Sequence, residues 1–166
     1  MRKHFTVTGF IVHEDATLLL WHPLLQMWVP PGGHVEEDEE PSAAVLREIR
    51  EETELEAEIV AEEEPLGLSY PAQLPAPHTV LLEKSFEAGP PHQHIDLIYF
   101  CLVRERPPAL RRDDTVLTWV DERSLERDEP LAAGAGAEAR VPEDVRLLAL
   151  RAISTVRRLL KAREPC

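Results

Sequence analysis

Apolar positions along the chain fall into short blocks with two different periods. FTVTGFIV (5–12) is rich in β-branched and aromatic residues, and TLLLW (17–21) follows the turn HEDA (13–16), so this segment predicts a two-stranded hairpin. TVLLEKSF (79–86), HIDLIYFCLV (94–103) and TVLTWV (115–120) read as three further strands. The middle one is almost continuously apolar and is expected at the centre of a sheet. EAEIVAEEE (56–64) is a weaker strand candidate.

A helical period appears twice. Pro41 sits where a first helical residue is favoured, and Val45, Leu46 and Ile49 set an apolar stripe on a helix from Pro41 to about Thr53. Pro142 opens a second helix, PEDVRLLALRAISTVRRLLKAR, whose acidic start and basic end suit the helix dipole. DERSLER (121–127) predicts a short helix. WVPPGGH (28–34), LSYPAQLPAPH (68–78) and RERPPALRRDD (104–114) read as loops. In the first of these, two prolines extend the backbone and Gly32 and Gly33 permit left-handed angles. LAAGAGAEAR (131–140) reads as a linker or a mobile loop. No repeat or boundary interrupts the pattern, so one domain over residues 1–166, of the α/β class, is expected.

Charge narrows the function. The chain carries 18 Lys and Arg against 31 Asp and Glu, a formal net charge of −13. Such a surface repels duplex nucleic acid and anionic membranes at long range. An anionic substrate would need a cationic mediator, for which a metal ion is the natural candidate. The two cysteines, Cys101 in an apolar run and Cys166 at the end of the sequence, make no disulfide framework, which fits a reducing, cytoplasmic setting. The opening MRKHFTVTGFIVHED has a short apolar stretch and no small-residue cleavage site, so a secretory signal is not expected. No run reaches transmembrane length.

The densest chemistry lies in GGHVEEDEEPSAAVLREIREETEL (32–55). Glu48, Glu51 and Glu52 stand at i, i+3 and i+4, which gathers three carboxylates on one helical face beside the apolar stripe. Carboxylates so placed repel one another unless a cation sits among them, and an oxygen-only set suits Mg²⁺ or Mn²⁺ rather than Zn²⁺. The competing reading is a solvated acidic face tied by i, i+4 pairs such as Arg47–Glu51 and Arg50–Glu54.

The wider spacing separates the two. Gly33 is followed by Glu39, then by Arg47-Glu48-Ile49, Glu51-Glu52 and Leu55. This resembles the signature of the Nudix hydrolase family: Gly, five residues, Glu, seven residues, Arg-Glu-aliphatic-any-Glu-Glu-any-Gly-aliphatic. Eight of nine specified positions match; the exception is Glu54, where the family has a second glycine. A glycine there would end the helix in a left-handed conformation. For Glu that conformation costs roughly 1–2 kcal/mol, unless the helix runs on or closes in another way.

The resemblance implies an α/β/α sandwich around a mixed sheet. It implies a Mg²⁺-dependent (or Mn²⁺-dependent) pyrophosphohydrolase acting on a nucleoside diphosphate linked to another group, with a homodimer as a common family assembly. Glu48 and Glu52 would then be the main metal ligands, one of them also the base, and Glu51 an inner or water-mediated ligand. The Gly32 carbonyl would be a further ligand, Arg47 would orient the carboxylates, and Glu39 would anchor Arg47 or order water. An acidic residue upstream of a strand such as TVLTWV joins the metal site in some members, which marks Asp113 and Asp114.

Other residues have plain structural roles that compete with chemical ones. Trp28, Trp21 and Tyr70 are candidates to stack on a base, with core packing the competing role for each Trp. His92, His94 and Asp96 would share a face if all lay on one strand, but Pro90-Pro91 places His92 in a loop on this reading. His94 and Asp96 then remain candidates to line a substrate cleft. Arg111 and Arg112 are candidate phosphate contacts set against ordinary exposed loop charges. The alternative function is a degenerate module that binds a nucleotide without cleaving it, with Glu54 as its support. A third reading, an isomerase of related fold acting on an isoprenyl diphosphate, finds no support in a dedicated Cys beside a His-rich metal set.

Overall fold

The expected hairpin forms from β1 (Arg2–His13) and β2 (Ala16–His22), joined through Val12 opposite Thr17 and His13 opposite Ala16. The structure is a computed structural model and describes residues 2–85, 90–105, 111–112, 115–134 and 137–163. Next come β3 (Met27–Val29), β4 (Gly32–His34), α1 (Pro41–Thr53), β5 (Glu58–Ile59), β6 (Thr79–Lys84) and β7 (His92–Leu102). The remainder is β8 (Arg111–Arg112), β9 (Thr115–Asp121), α2 (Glu122–Glu126), β10 (Leu131–Gly134), β11 (Ala137–Ala139) and α3 (Glu143–Arg163).

The sheet is mixed because its two central strands, β1 and β7, run parallel while the other pairs are antiparallel. Its main path is β5-β7-β1-β2-β9-β8, with β3 added to β2, β4 to β1 and β6 to β7. Register runs from Arg2 opposite His92 to Val12 opposite Leu102, so alternate residues of both strands feed opposite faces. On one face Val7, Ile11, Tyr99 and Cys101 pack under Val45 and Ile49 of α1. Burial pushes the Cys101 thiol up to about 12, so it is an inert apolar filler. On the other face Phe10, Ile98 and Phe100 pack against Ala149, Ile153 and Val156 of α3. The result is the expected α/β/α sandwich, each helix burying its stripe on one sheet face.

Several expectations need correction. WVPPGGH is not a plain loop, since β3 and β4 occupy both ends of it. Trp28 is 0% exposed in the α3-side core, its ring edge-on to Trp21 at 5.5 Å, so it offers no face to a ligand. His92 opens β7 rather than ending a loop. LAAGAGAEAR, read as a linker or a mobile loop, supplies the paired strands β10 and β11, while EAEIVAEEE does hold a strand, the two-residue β5. Asp113, Asp114 and Cys166 lie outside the described residues.

The helix does not run on past Thr53. Glu54 takes φ 61° and ψ 16°, and its N–H donates to the Arg50 carbonyl at 2.9 Å, the closure a glycine would make. Arg50 pairs with Glu56, at 2.6 and 2.9 Å, instead of with Glu54. Left-handed geometry costs a non-glycine roughly 1–2 kcal/mol, and part of that returns as extra unfolded-chain entropy when glycine is introduced. Glu54→Gly is therefore expected to stabilise the protein by about 0.5–1 kcal/mol and raise the melting temperature by roughly 1–4 °C. A calorimetric melting point at or below wild type would contradict this account of the cap.

Candidate active site

The acidic face of α1 is set against β4, and the pairing of β4 explains its two glycines. Val7 stands opposite Gly33 and Thr8 opposite Gly32. Gly9 N–H donates to the Pro31 carbonyl at 2.9 Å and Val35 N–H to the Phe5 carbonyl at 3.0 Å. In that pattern Gly32 is a non-hydrogen-bonded position, so its N–H and C=O turn away from β1. The N–H meets Glu52 Oε2 at 3.0 Å, which places the Gly32 backbone edge beside the Glu52 carboxylate. A Cβ on Gly32 would collide with the Val7 carbonyl oxygen, and one on Gly33 with the Glu48 carboxylate. Neither glycine uses a left-handed angle; among the described glycines only Gly67 and Gly134 do. Their role is close approach rather than left-handed geometry.

Arg47 organises the acidic groups. Its Nε donates to Glu39 Oε1 at 2.9 Å and one terminal nitrogen to Glu39 Oε2 at 3.0 Å, a forked pair. The other terminal nitrogen reaches Glu48 at 2.8 Å and Glu51 at 3.2 Å. A further bond at 3.0 Å goes to the His34 carbonyl in β4. The Arg47 bonds hold the Glu39 carboxyl below its usual range, with a smaller contribution from Glu36 N–H, against the opposing effect of burial. One guanidinium thus faces three carboxylates, with Glu52 held separately by backbone. The site keeps an excess of negative charge close to a carbonyl edge, an arrangement that a hard cation would complete.

Two clefts meet at this wall. One, of about 310 Å³, is lined by Glu51 and Glu52 with Trp21, His22 and Thr115. The second, of about 400 Å³, is reached past Gly32 and the shared His22, and is largely apolar through Phe10, Met27 and Leu81. Asp96 lines it, accepting bonds from Thr6 at 2.9 Å and Thr8 at 2.8 Å. Burial nevertheless raises the Asp96 carboxyl above its ordinary range. Glu83, also in this cleft, is raised by burial and further by Asp96 and Asp144.

The structure therefore brings together Gly32, Glu39, Arg47, Glu48, Glu51 and Glu52, with Asp96 in the adjoining cleft. Tyr70 is 87% exposed and lines neither cleft. Sequence reading missed His22, Thr8 and Glu83. The alternation of Thr6 and Thr8 along β1 was visible, but its register against Asp96 was not.

The family model for the NUDIX domain matches residues 2–141 of the 166. This chain belongs to the Nudix family. Its fold is similar to that of a NUDIX-family hydrolase from Clostridium perfringens, with 26% identity and a TM-score of 0.72 over 94% of this chain and 99% of that one. It is also similar to the C. elegans Ap4A hydrolase, at 17% identity and a TM-score of 0.56 over 94% of this chain and 98% of that one. The NUDIX domain of Shewanella oneidensis NrtR, crystallised with ADP-ribose, shares 18% identity with a TM-score of 0.54 over 96% and 90% of the respective chains. The last two likenesses speak for the fold alone. A search of the curated proteins gave no match. The Nudix chain is a hydrolase by family and by its likeness to the clostridial enzyme. Among the described residues no helix is long and apolar enough to cross a membrane.

Proposed function

We propose that this Nudix hydrolase is a pyrophosphohydrolase dependent on Mg²⁺ or Mn²⁺, cleaving the diphosphate of a nucleoside diphosphate linked to a second group. The observation that carries the reading is the meeting of Glu48, Glu51 and Glu52 with the Gly32 edge, organised by Arg47. The donors are all oxygen, their charge exceeds that of the one guanidinium beside them, and both features fit a hard divalent cation.

Glu48 and Glu52 would be the main ligands, Glu51 a closer or water-bridged one, and the Gly32 carbonyl a neutral one. When bound, the cation would neutralise phosphate oxygens and acidify a water. Glu48 or Glu52 takes the proton of the attacking water. The water oxygen forms a bond to phosphorus, the bridging P–O bond breaks, and two phosphate-bearing products leave. Arg47 touches carboxylates rather than substrate, and Glu39 fixes Arg47.

The adjoining clefts support the substrate class. The cleft bordered by Glu51 and Glu52 would take the diphosphate, and the apolar cleft of about 400 Å³ would take the attached group, with Asp96 as a polar contact. Proteins of similar fold bear names that refer to Ap4A, ADP-ribose and dihydroneopterin triphosphate, which share a phosphoanhydride. The left-handed closure at Glu54 leaves the helix ending where a glycine would end it, so this departure does not displace Glu48, Glu51 or Glu52.

The test is a panel of nucleoside triphosphates, dinucleoside polyphosphates, ADP-ribose, NADH and nucleotide sugars incubated with Mg²⁺ in ¹⁸O water. Mass detection is expected to show two phosphate-bearing products, one of them labelled. Mg²⁺ alone is expected to raise stability by about 2–3 kcal/mol at a hundredfold excess over its Kd. An unchanged melting temperature at millimolar Mg²⁺, with no product from any substrate, would overturn the proposal.

A further inference from the structure

Four histidines from three adjacent strands converge on one face of the sheet. His4 of β1 stands directly opposite His94 of β7, Arg2 opposite His92, and Thr6 opposite His34 of β4. Alternation puts His4, Thr6, His92 and His94 on the same face. The four half-buried rings pack closely: centroids lie 4.7 Å apart for His4 and His92, 5.0 Å for His34 and His94, and 5.1 Å for His92 and His94. One ring nitrogen from each of the four lies within 4.8 Å of all the others. The Nε2 atoms of His92 and His94 are 3.3 Å apart.

A tetrahedral ion with bonds of 2.0–2.1 Å separates its nitrogen ligands by roughly 3.4 Å. The His92–His94 pair already has that spacing, and the remaining nitrogens need to draw in by at most about 1.5 Å. Asp96, next on this face of β7, is hydrogen-bonded by Thr6 and Thr8, so the cluster presents nitrogen alone. An all-imidazole set with four protein ligands selects a borderline transition cation and disfavours Mg²⁺. It also leaves no open position for substrate, which is the pattern of a structural ion.

We propose that His4, His34, His92 and His94 form a closed tetrahedral site for a Zn²⁺-class ion, separate from the carboxylate site. Along β7 this face carries His92, His94 and Asp96; strand register adds His4 of β1 and His34 of β4 to the two histidines, while Asp96 is taken by Thr6 and Thr8. The ion would clamp β4 to β1 and β7. β4 carries Gly32 and Gly33, and the His34 carbonyl accepts from Arg47 at 3.0 Å, so the clamp would hold the wall on which Arg47 and Glu52 rest. The inference does not depend on the proposed substrate or on turnover.

The test titrates Zn²⁺, and Co²⁺ as a visible probe, into protein kept in excess Mg²⁺. Wild type is expected to take up one equivalent per chain and to give the strong visible bands of tetrahedral Co²⁺. The His92→Gln/His94→Gln protein is expected to lose the bands and bind roughly a hundredfold more weakly or worse. Glu52→Gln is expected to behave as wild type, which separates this site from the carboxylates. If the double variant does not fold, imidazole ¹⁵N shifts of wild type decide. His4, His34, His92 and His94 are expected to move together on adding Zn²⁺, while His13, His22 and His78 stay. No uptake by wild type, equal uptake by the folded double variant, or unmoved signals for the four would overturn the proposal.

Discussion

Glu52→Gln is expected to cut turnover by roughly a thousandfold or more while leaving the fold intact. Glu52 borders the cleft assigned to the diphosphate, and its Oε2 accepts the Gly32 N–H at 3.0 Å. Glutamine is nearly isosteric and keeps a carbonyl oxygen for that bond, so the wall between α1 and β4 should hold. What it removes is one negative charge and the capacity to take a proton. Relieving repulsion among neighbouring carboxylates offsets the weaker hydrogen bond, so the melting temperature is expected to stay within about 2 °C. Steady-state rates on the best panel substrate, with circular dichroism as a control for folding, check both halves. Activity within tenfold of wild type would remove Glu52 from its assigned role.

Arg47→Ala is expected to have the largest effect on stability. The guanidinium makes a fork to Glu39, bonds to Glu48 and Glu51, and a bond to the His34 carbonyl. Its side chain is 24% exposed and that of Glu39 16%, so the network is only partly screened by solvent. Removing the cation leaves clustered carboxylates without their partner, at about 2–4 kcal/mol, or roughly 5–15 °C in melting temperature. Arg47→Lys is expected to recover a minor part, because an ammonium restores charge but not the fork.

The pH dependence follows from Glu39. Its folded carboxyl lies below the ordinary value of 4.5, so the contribution is complete above that value and is lost as pH falls through the lowered one. Melting curves from about neutral to about pH 3 are expected to fall less steeply on the acid side for Arg47→Ala than for wild type. Identical acid slopes would refute the assignment of that stability to the Arg47–Glu39 pair.

What the sequence revealed, and what it concealed, follows from the range of the interactions. α1 was legible to the residue, because helical spacing converts covalent distance into geometry: Glu48, Glu51 and Glu52 share a face whatever surrounds them. The main strands were legible from their β-branched content. Register between distant strands was not, and it is register that brings Thr6 to Asp96 and His4 to His94. Trp28 precedes prolines in a segment read as a loop, with base stacking and core packing both open; the pairing of β3 with β2 carries the ring into the core. Gly32 and Gly33 were recognisable as necessary, but the left-handed freedom read for them is not used. Close approach is the reason that holds at both: they make room for a carbonyl and a carboxylate, a demand set by β1 and α1 together.

The parallel pairing of β1 with β7 also governs the chain's assembly. Residues 2–12 gain that neighbour only when residues 92–102 arrive, a closure whose entropic cost grows to roughly 4 kcal/mol beyond its constant part. On a ribosome adding about 5–20 residues per second, β1 is without that partner for on the order of ten seconds. Throughout that interval Val7 and Ile11 lack the cover that Tyr99 and Cys101 later provide. The acidic residues made in between give such chains like charge, which opposes their contact at low ionic strength.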